Sequence, residues 1–164
     1  MREGLVSLRE GRFADSLQRF DDLFARGIDS FEAHYYAARA LTGLKRWDAA
    51  ARKHEGAIGR LPSYTAAYIG LADARMEARR LPEALDAVDR GLAASPGDPR
   101  LLEKKGDIAR MQGRVADAVA TYEGVVRRAP RDALIRVKLG ELFRDLDGPP
   151  TPRACSGSGG ARAV

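Results

Sequence analysis

The segments RLPEALDAV at positions 80–88 and RVADAVATY at positions 114–122 decide the fold, because they repeat one pattern 34 residues apart. In both segments an arginine is followed by an apolar residue, then by an alanine three positions on, and then by a larger residue four positions after that. Arg12 and Arg46 begin related patterns at the same interval. The agreement of several columns in one register indicates an internal repeat of 34 residues.

Each repeat predicts a pair of helices. In the third repeat, apolar residues recur at helical spacing over 65–78 and again over 81–94. Pro62, Pro96 and Pro130 follow the second helix of successive repeats, where proline ends a helix because it has no backbone N–H. One helical hairpin cannot bury both of its faces, so the hairpins must stack on one another.

A second column of small residues runs from Gly4 to Gly140 at the same interval. We expect these residues to let the two helices of one hairpin approach closely, as where Gly106 faces Ala118. The larger Tyr122, one turn further on, then fills the gap beside the small residue. A large side chain in such a column would cost about 1–3 kcal/mol by overpacking.

These columns resemble the tetratricopeptide repeat, whose slots are an aromatic residue, a Leu-Gly or Leu-Ala pair, an alanine, a second aromatic residue and a closing proline. The slots hold Tyr68, Leu71, Ala72, Ala84, Val88 and Pro96 in the third repeat, and Leu102, Lys105, Gly106, Ala118, Tyr122 and Pro130 in the fourth. The resemblance covers residues 1–146. It implies an all-α fold, a right-handed α-solenoid of about four helix-turn-helix units followed by a final unpaired helix.

The predicted units are listed in chain order as 1–30, 31–64, 65–98, 99–132 and a partial unit at 133–146, followed by a disordered Gly/Pro/Ser/Arg tail at 147–164. Within this tail, Gly148-Pro149-Pro150-Thr151-Pro152 stands where the second helix of a fifth unit is expected. Two interpretations remain open. The tail is natural, or it is a frameshift product, since GC-rich codons for Ala-Asp-Ala read one base later encode Pro-Thr-Pro.

The last helix is expected to expose apolar residues, because no second helix covers it. Leu142 and Leu146 are the residues for which we expect no packing partner. Terminal repeats need a polar outer face for solubility. The sequence therefore predicts self-association or instability at the C-terminal end.

The 164 residues offer few side chains suited to catalysis or metal binding, since they include only two histidines and one cysteine. The net charge is +5. Without a metal motif or a catalytic constellation, the sequence predicts a non-enzyme that takes no cofactor and no metal. His34 and His54 fall in packing columns, where we expect packing roles. No apolar run has the length of a signal peptide or a membrane span, which predicts a bacterial cytoplasmic protein with no membrane partner.

In the tetratricopeptide repeat family, the first helices of successive hairpins line an inner groove that holds an extended peptide or a helix. Carried onto this register, the resemblance places on that groove Tyr35, Arg39, Thr42, Ile69, Asp73, Met76, Glu103, Asp107, Arg110, Val137, Glu141 and Arg144. Some members clamp a C-terminal carboxylate with asparagine and lysine. This chain has no asparagine, so we expect that clamp to be absent.

The sequence therefore predicts a non-catalytic scaffold that binds another protein or a peptide in its concave groove. An alternative is the repeat appendage of a larger enzyme, such as a glycosyltransferase or a peptidase, whose catalytic part is missing from this chain. Nucleic-acid binding is disfavoured, because positive charge is interleaved with acid and no aromatic stacking array is present. The arginine column that begins at Arg12 forms either local ion pairs in solvent or a basic edge for an acidic partner.

Overall fold

The computed structural model describes residues 1–131 and 133–147, with side chains described as far as Arg144. These residues form nine helices and no strand, which confirms the all-α prediction. The helices are α1 (Arg2–Arg9), α2 (Phe13–Ala25), α3 (Phe31–Gly43), α4 (Trp47–Arg60), α5 (Thr65–Glu77), α6 (Leu81–Ala94), α7 (Pro99–Met111), α8 (Val115–Arg128) and α9 (Ala133–Asp147). None of the described helices is long and apolar enough to cross a membrane.

The turn inside each hairpin has the same backbone conformation in all four repeats. One residue per turn lies in the left-handed region, with φ of 74° at Gly11, 56° at Lys45, 61° at Arg79 and 75° at Gly113. Glycine adopts this conformation without the Cβ clash that lysine and arginine incur. The turn is therefore imposed by the packing of the two helices, since residues that disfavour it still adopt it.

Successive helices pack against each other along the whole chain, from α1 with α2 to α8 with α9. The first helices of neighbouring hairpins also contact one another directly, as α1 does with α3, α3 with α5 and α5 with α7. The second helices make no comparably extensive contacts with one another in the part of the chain that the structure describes. The stack therefore curves with the first helices on its inner side.

The small residues sit at the helix crossings, as expected. Ala118 and Tyr122 are fully buried, and the ring of Tyr122 occupies the space that a Cβ at Gly106 would need. In the first hairpin the ring of Phe20 lies in the same way against Gly4. A small residue on the first helix and a large one on the second thus fit together within a single hairpin.

The last helix is better packed than the sequence suggests. Leu142 is only 1% exposed and belongs to a core cluster with Tyr122, Val125 and Ile135, so the expectation that it lacks a partner was wrong. It faces back onto the preceding hairpin and not onto the side where a further helix would pack. The side chain of Leu146, the tail and the frameshift interpretation lie outside the described residues, and the unit boundaries remain predictions.

We predict that Gly106→Ala lowers the free energy of unfolding by about 1–3 kcal/mol, because the added methyl group overlaps the buried Tyr122 ring. Gly124→Ala, in α8 of the same hairpin, is the matched control. The nearest atoms to its Cβ, at 3.8 and 4.0 Å, are the ends of arginine side chains, so helix propensity should raise stability by up to about 1 kcal/mol. Urea denaturation of both variants checks this, and equal effects would contradict the proposed fit.

Candidate functional site on the inner face of the first helices

The inner face carries a cleft between α3 and α5. Its volume is about 510 Å³, and it contains five of the residues that the resemblance places on the groove. The complete lining comprises Phe13, Tyr35, Arg39, Thr42, Gly43, His54, Ala66, Ile69, Gly70, Asp73 and Arg100. We call this feature the α3–α5 cleft. It is the part of the inner face with room for a guest side chain.

Ion pairs link the first helices at two of the later interfaces. Lys104 on α7 contacts Asp73 on α5 at 2.8 Å, and Lys138 on α9 contacts Asp107 on α7 at 2.7 Å. Both pairs join residues 31 positions apart in the chain, so they are the same contact in successive units. These pairs neutralise acids of the inner face with bases of the following repeat.

The equivalent contact between α3 and α5 is missing. The position equivalent to Asp73 holds Arg39, and the position equivalent to Lys104 holds Gly70, which has no side chain. An ion pair therefore cannot form between these two positions. Arg39 is exposed and has no ion-pair partner within the described residues. Arg39 thus lies in the lining of the cleft without an ionic partner among the described residues.

Tyr35, which lines the cleft, is held by neighbouring aromatic rings. The ring centroid of Tyr35 lies 5.1 Å from that of Tyr64 and 6.1 Å from that of Phe31. Burial, followed by the influence of Tyr64, raises the pKa of Tyr35, so its hydroxyl is a hydrogen-bond donor at neutral pH. Tyr35 and Ile69 together offer an apolar and aromatic surface beside Arg39 in the lining of the cleft.

His54 contributes to the cleft from α4. The side chain is 2% exposed, and its ring occupies the position that a Cβ at Gly70 would need. Burial, and to a lesser degree the charge of Arg39, lowers the pKa of His54 from 6.5 to about 4. Its Nδ1 atom is buried without a hydrogen-bond partner in the described residues. The packing role predicted for His54 is therefore observed, and the histidine is neutral at physiological pH.

The inner face beyond α5 is more fully occupied by its own side chains. Lys138 also reaches Glu103 at 2.6 Å, and the hydroxyl of Tyr122 donates to Asp107 at 2.6 Å. Burial lowers the pKa of Lys138, but the hydrogen bonds to Asp107 and Glu103 and the charges of these acids together raise it by more. The pKa of Lys138 therefore lies above its ordinary value. These acids are thus engaged within the chain.

The remaining groove residues lie outside the α3–α5 cleft. Arg110 on α7 is exposed and lies 3.7 Å from Glu141 on the neighbouring first helix, α9. Met76 packs against the core, while Val137 and Arg144 are exposed on α9. The assignment of all these residues to a binding site remains a prediction.

Further residues of this surface were not among the expected groove residues, and they include Lys104, Lys138, Phe13 and Arg100. Lys104 and Lys138 share a 34-residue column with Gly70, so the repeat register contained the signal that identifies them. Phe13 and Arg100 enter the cleft from the starts of α2 and α7. Their presence depends on how neighbouring repeats are oriented, which the register alone does not give.

The arginines at three of the four hairpin turns, Arg12, Arg80 and Arg114, make ion pairs. Arg114 contacts Asp117 at 2.6 Å, and Arg80 contacts Asp48 at 3.3 Å, all with exposed side chains. Exposed pairs of this kind contribute little to stability. The arrangement fits the solvated interpretation of this column. No group of three or more His, Cys, Asp or Glu side chains that could hold a metal ion occurs among the described residues.

Stacked helical hairpins with a 34-residue period define a helical-repeat protein. Two family models described as Tetratricopeptide repeat match the chain, one over residues 41–108 and the other over 1–58 and 103–147. The chain belongs to the tetratricopeptide repeat family. No curated protein matches it in sequence.

Solved structures share the fold at low sequence identity. A crystal structure of MamA has a TM-score of 0.78 and 16% identity, with 90% of this chain and 86% of MamA covered. A thermophilic repeat protein of Thermus thermophilus has a TM-score of 0.72 and 18% identity, covering 85% and 77%. The first repeat domain of Spaghetti, bound to an HSP90 peptide, has a TM-score of 0.65 and 13% identity, covering 73% and 94%.

We predict that acidification from pH 6.5 to pH 4 destabilises the protein through His54. In this range the unfolded chain protonates the histidine and the folded chain does not, so the stability is present above pH 6.5 and lost as the pH falls. The difference between a pKa of 6.5 and one of about 4 corresponds to about 3 kcal/mol as an upper value.

The check is the free energy of unfolding against pH for the wild type and for His54→Phe. Phenylalanine is the residue that the first repeat carries at this position, as Phe20. The variant should lose the His54 part of the pH dependence while keeping that of His34, whose pKa is also lowered by burial. Parallel curves for the two proteins would show that His54 is not the titrating group.

Proposed function

We propose that this protein is a non-catalytic scaffold that binds a segment of another protein on its inner face, with the α3–α5 cleft as the anchoring point. The segment carries an apolar side chain that enters the cleft beside Tyr35 and Ile69. It also carries a carboxylate next to that side chain, which pairs with Arg39. Further contacts run along α7 and α9 towards Arg110 and Arg144.

The position of Arg39, in the lining of the cleft and without an ionic partner among the described residues, carries this proposal. Asp73 is the acid in the lining of the cleft and is held by Lys104 at 2.8 Å, whereas the guanidinium of Arg39 has no ionic partner in the described part of the chain. Arg100 adds a second positive group at the rim, although it is tied to Asp98 at 3.1 Å. A guest carboxylate therefore meets a cation that is already placed and does not have to displace an internal partner.

The fold supports this type of function. The Spaghetti repeat domain, which has a similar fold, is bound to the HSP90 peptide SRMEEVD. A rigid stack of hairpins keeps the receptor side ordered before binding, which reduces the entropic cost of capturing a flexible segment. Affinity in the micromolar range corresponds to about −8 kcal/mol.

The first test selects ligands from a random peptide library displayed on phage, using the wild-type chain as bait. We expect the selected peptides to share an apolar residue next to an aspartate or glutamate. Fluorescence anisotropy should show binding about tenfold weaker for Arg39→Glu, because the variant replaces attraction with repulsion. Arg52→Glu, an equal charge change at an exposed position of α4, is the control.

Charge reversal at Arg110 and Arg144 then reports how far the peptide extends towards α9. Smaller losses at these positions than at Arg39 would agree with anchoring at the cleft. If the selected peptides bind all three reversed variants as tightly as the wild type, the inner face is not the binding site.

A second test uses the partner of Asp73. Lys104→Met leaves this carboxylate unpaired at the edge of the cleft, so we expect several-fold weaker binding of the same acidic peptides. Lys105→Met is the matched control, since the adjacent lysine pairs with Asp89 of α6, which is not part of the cleft lining. The comparison is made by anisotropy, and equal losses in the two variants would count against the cleft as the anchoring point.

A further inference from the structure

A second surface, on α9, has no helix of its own hairpin packed on it in the part of the chain that the structure describes. In every complete hairpin, the second helix covers one face of the first helix. On α9 this face includes Gly140 and Phe143, and no atom of the described residues lies within 4 Å of the place where a Cβ on Gly140 would stand. Phe143 is 43% exposed, whereas the equivalent Leu41 and Ala109 are buried. Within the described residues, the last helix therefore presents Gly140 and Phe143 without the covering helix that the earlier units have.

The earlier hairpins show what fits such a face. Where the small residue of the first helix is glycine, an aromatic ring from the second helix fills the space, as Phe20 does at Gly4 and Tyr122 at Gly106. Four residues before each ring comes a small residue, Ser16 or Ala118, which is fully buried. A helix with a small residue followed one turn later by an aromatic ring is thus the complement of Gly140.

Positive charge on α9 influences which helix can pack on Gly140. Arg136 and Arg144 lie one turn before and one turn after Gly140 on the same side of α9. Both are exposed, and neither has an ion-pair partner among the described residues. The two arginines therefore favour an acidic facing helix, because carboxylates are attracted to them whereas a basic helix is repelled.

We propose that the Gly140 face of α9 is a second docking site, which binds an acidic amphipathic helix of a partner protein in the position of a fifth hairpin's second helix. The partner places its aromatic ring on Gly140 and its carboxylates opposite Arg136 and Arg144. A second copy of this chain fits less well. In an antiparallel pairing of two α9 helices centred on Gly140, Arg136 of each copy would face Arg144 of the other.

The chain itself supplies a probe of the required chemistry. The α2 sequence, FADSLQRFDDLFA, has three aspartates against one arginine and carries Phe20 four residues after Ser16. A fluorescein-labelled α2 peptide with a staple between Ala14 and Gln18, which are exposed in α2, is helical before binding and so avoids much of the ordering cost. Its binding to the full chain is measured by fluorescence anisotropy.

We expect this peptide to bind the wild-type chain, with affinity at least about tenfold lower for Gly140→Leu and several-fold lower for Arg136→Glu. The leucine side chain stands where the ring would lie, and nothing in the described residues opposes it, so thermal denaturation should show no loss of stability. A peptide with Phe20→Ala should bind about tenfold more weakly. Arg52→Glu is the charge control, and none of these α9 changes touches the α3–α5 cleft.

Three outcomes would overturn the proposal. The first is the absence of binding up to about 1 mM peptide, and the second is binding that Gly140→Leu and Arg136→Glu leave unchanged. The third is binding that appears only after deletion of 148–164 or only on dilution, which would assign the face to the chain's own segment or to a second copy. Analytical ultracentrifugation of the wild type and of Gly140→Leu distinguishes these two occupants.

Discussion

The contact between a small residue on the first helix and a ring or branched side chain on the second holds each hairpin together. Where Tyr122 lies on Gly106, the two helices come closer than larger residues would allow, and the same close approach brings Ser16 Oγ within 2.9 Å of the Gly4 carbonyl oxygen. The spacing and angle of the helices follow from this fit. The packing of the two helices also imposes the left-handed backbone conformation in the turns. Lys45 and Arg79 adopt this conformation although their side chains disfavour it.

The curvature that results determines which side chains share the inner face. Residues 31 positions apart in the chain become neighbours there, so a lysine and an aspartate at that separation form an ion pair in two successive units. A repeat protein acquires an individual site where one unit carries different residues in these columns. At the α3–α5 interface, Arg39 and Gly70 stand where the later units carry the aspartate and the lysine, so a cation without an ionic partner in the described residues lies beside the cleft.

Much of this was predictable from the sequence, because the fold depends on columns that recur in one register. The register also held the signal for Lys104 and Lys138. By contrast, the entry of Phe13 and Arg100 into the cleft depends on the angle between hairpins, which no local pattern encodes. Leu142 was misjudged because an apolar residue on a terminal helix can face either side, and only the packed structure shows that it faces Tyr122 and Val125.

The two sides of α9 illustrate how a repeat array ends. The side with Leu142 is covered by the hairpin before it, so the helix is anchored whatever follows. The side with Gly140 keeps the small residue that elsewhere receives a ring, although helix propensity favours alanine at an exposed helical position by up to about 1 kcal/mol. In the docking that we propose, Gly140 receives the partner's ring as Gly4 and Gly106 receive theirs, and the arginines beside it favour an acidic helix.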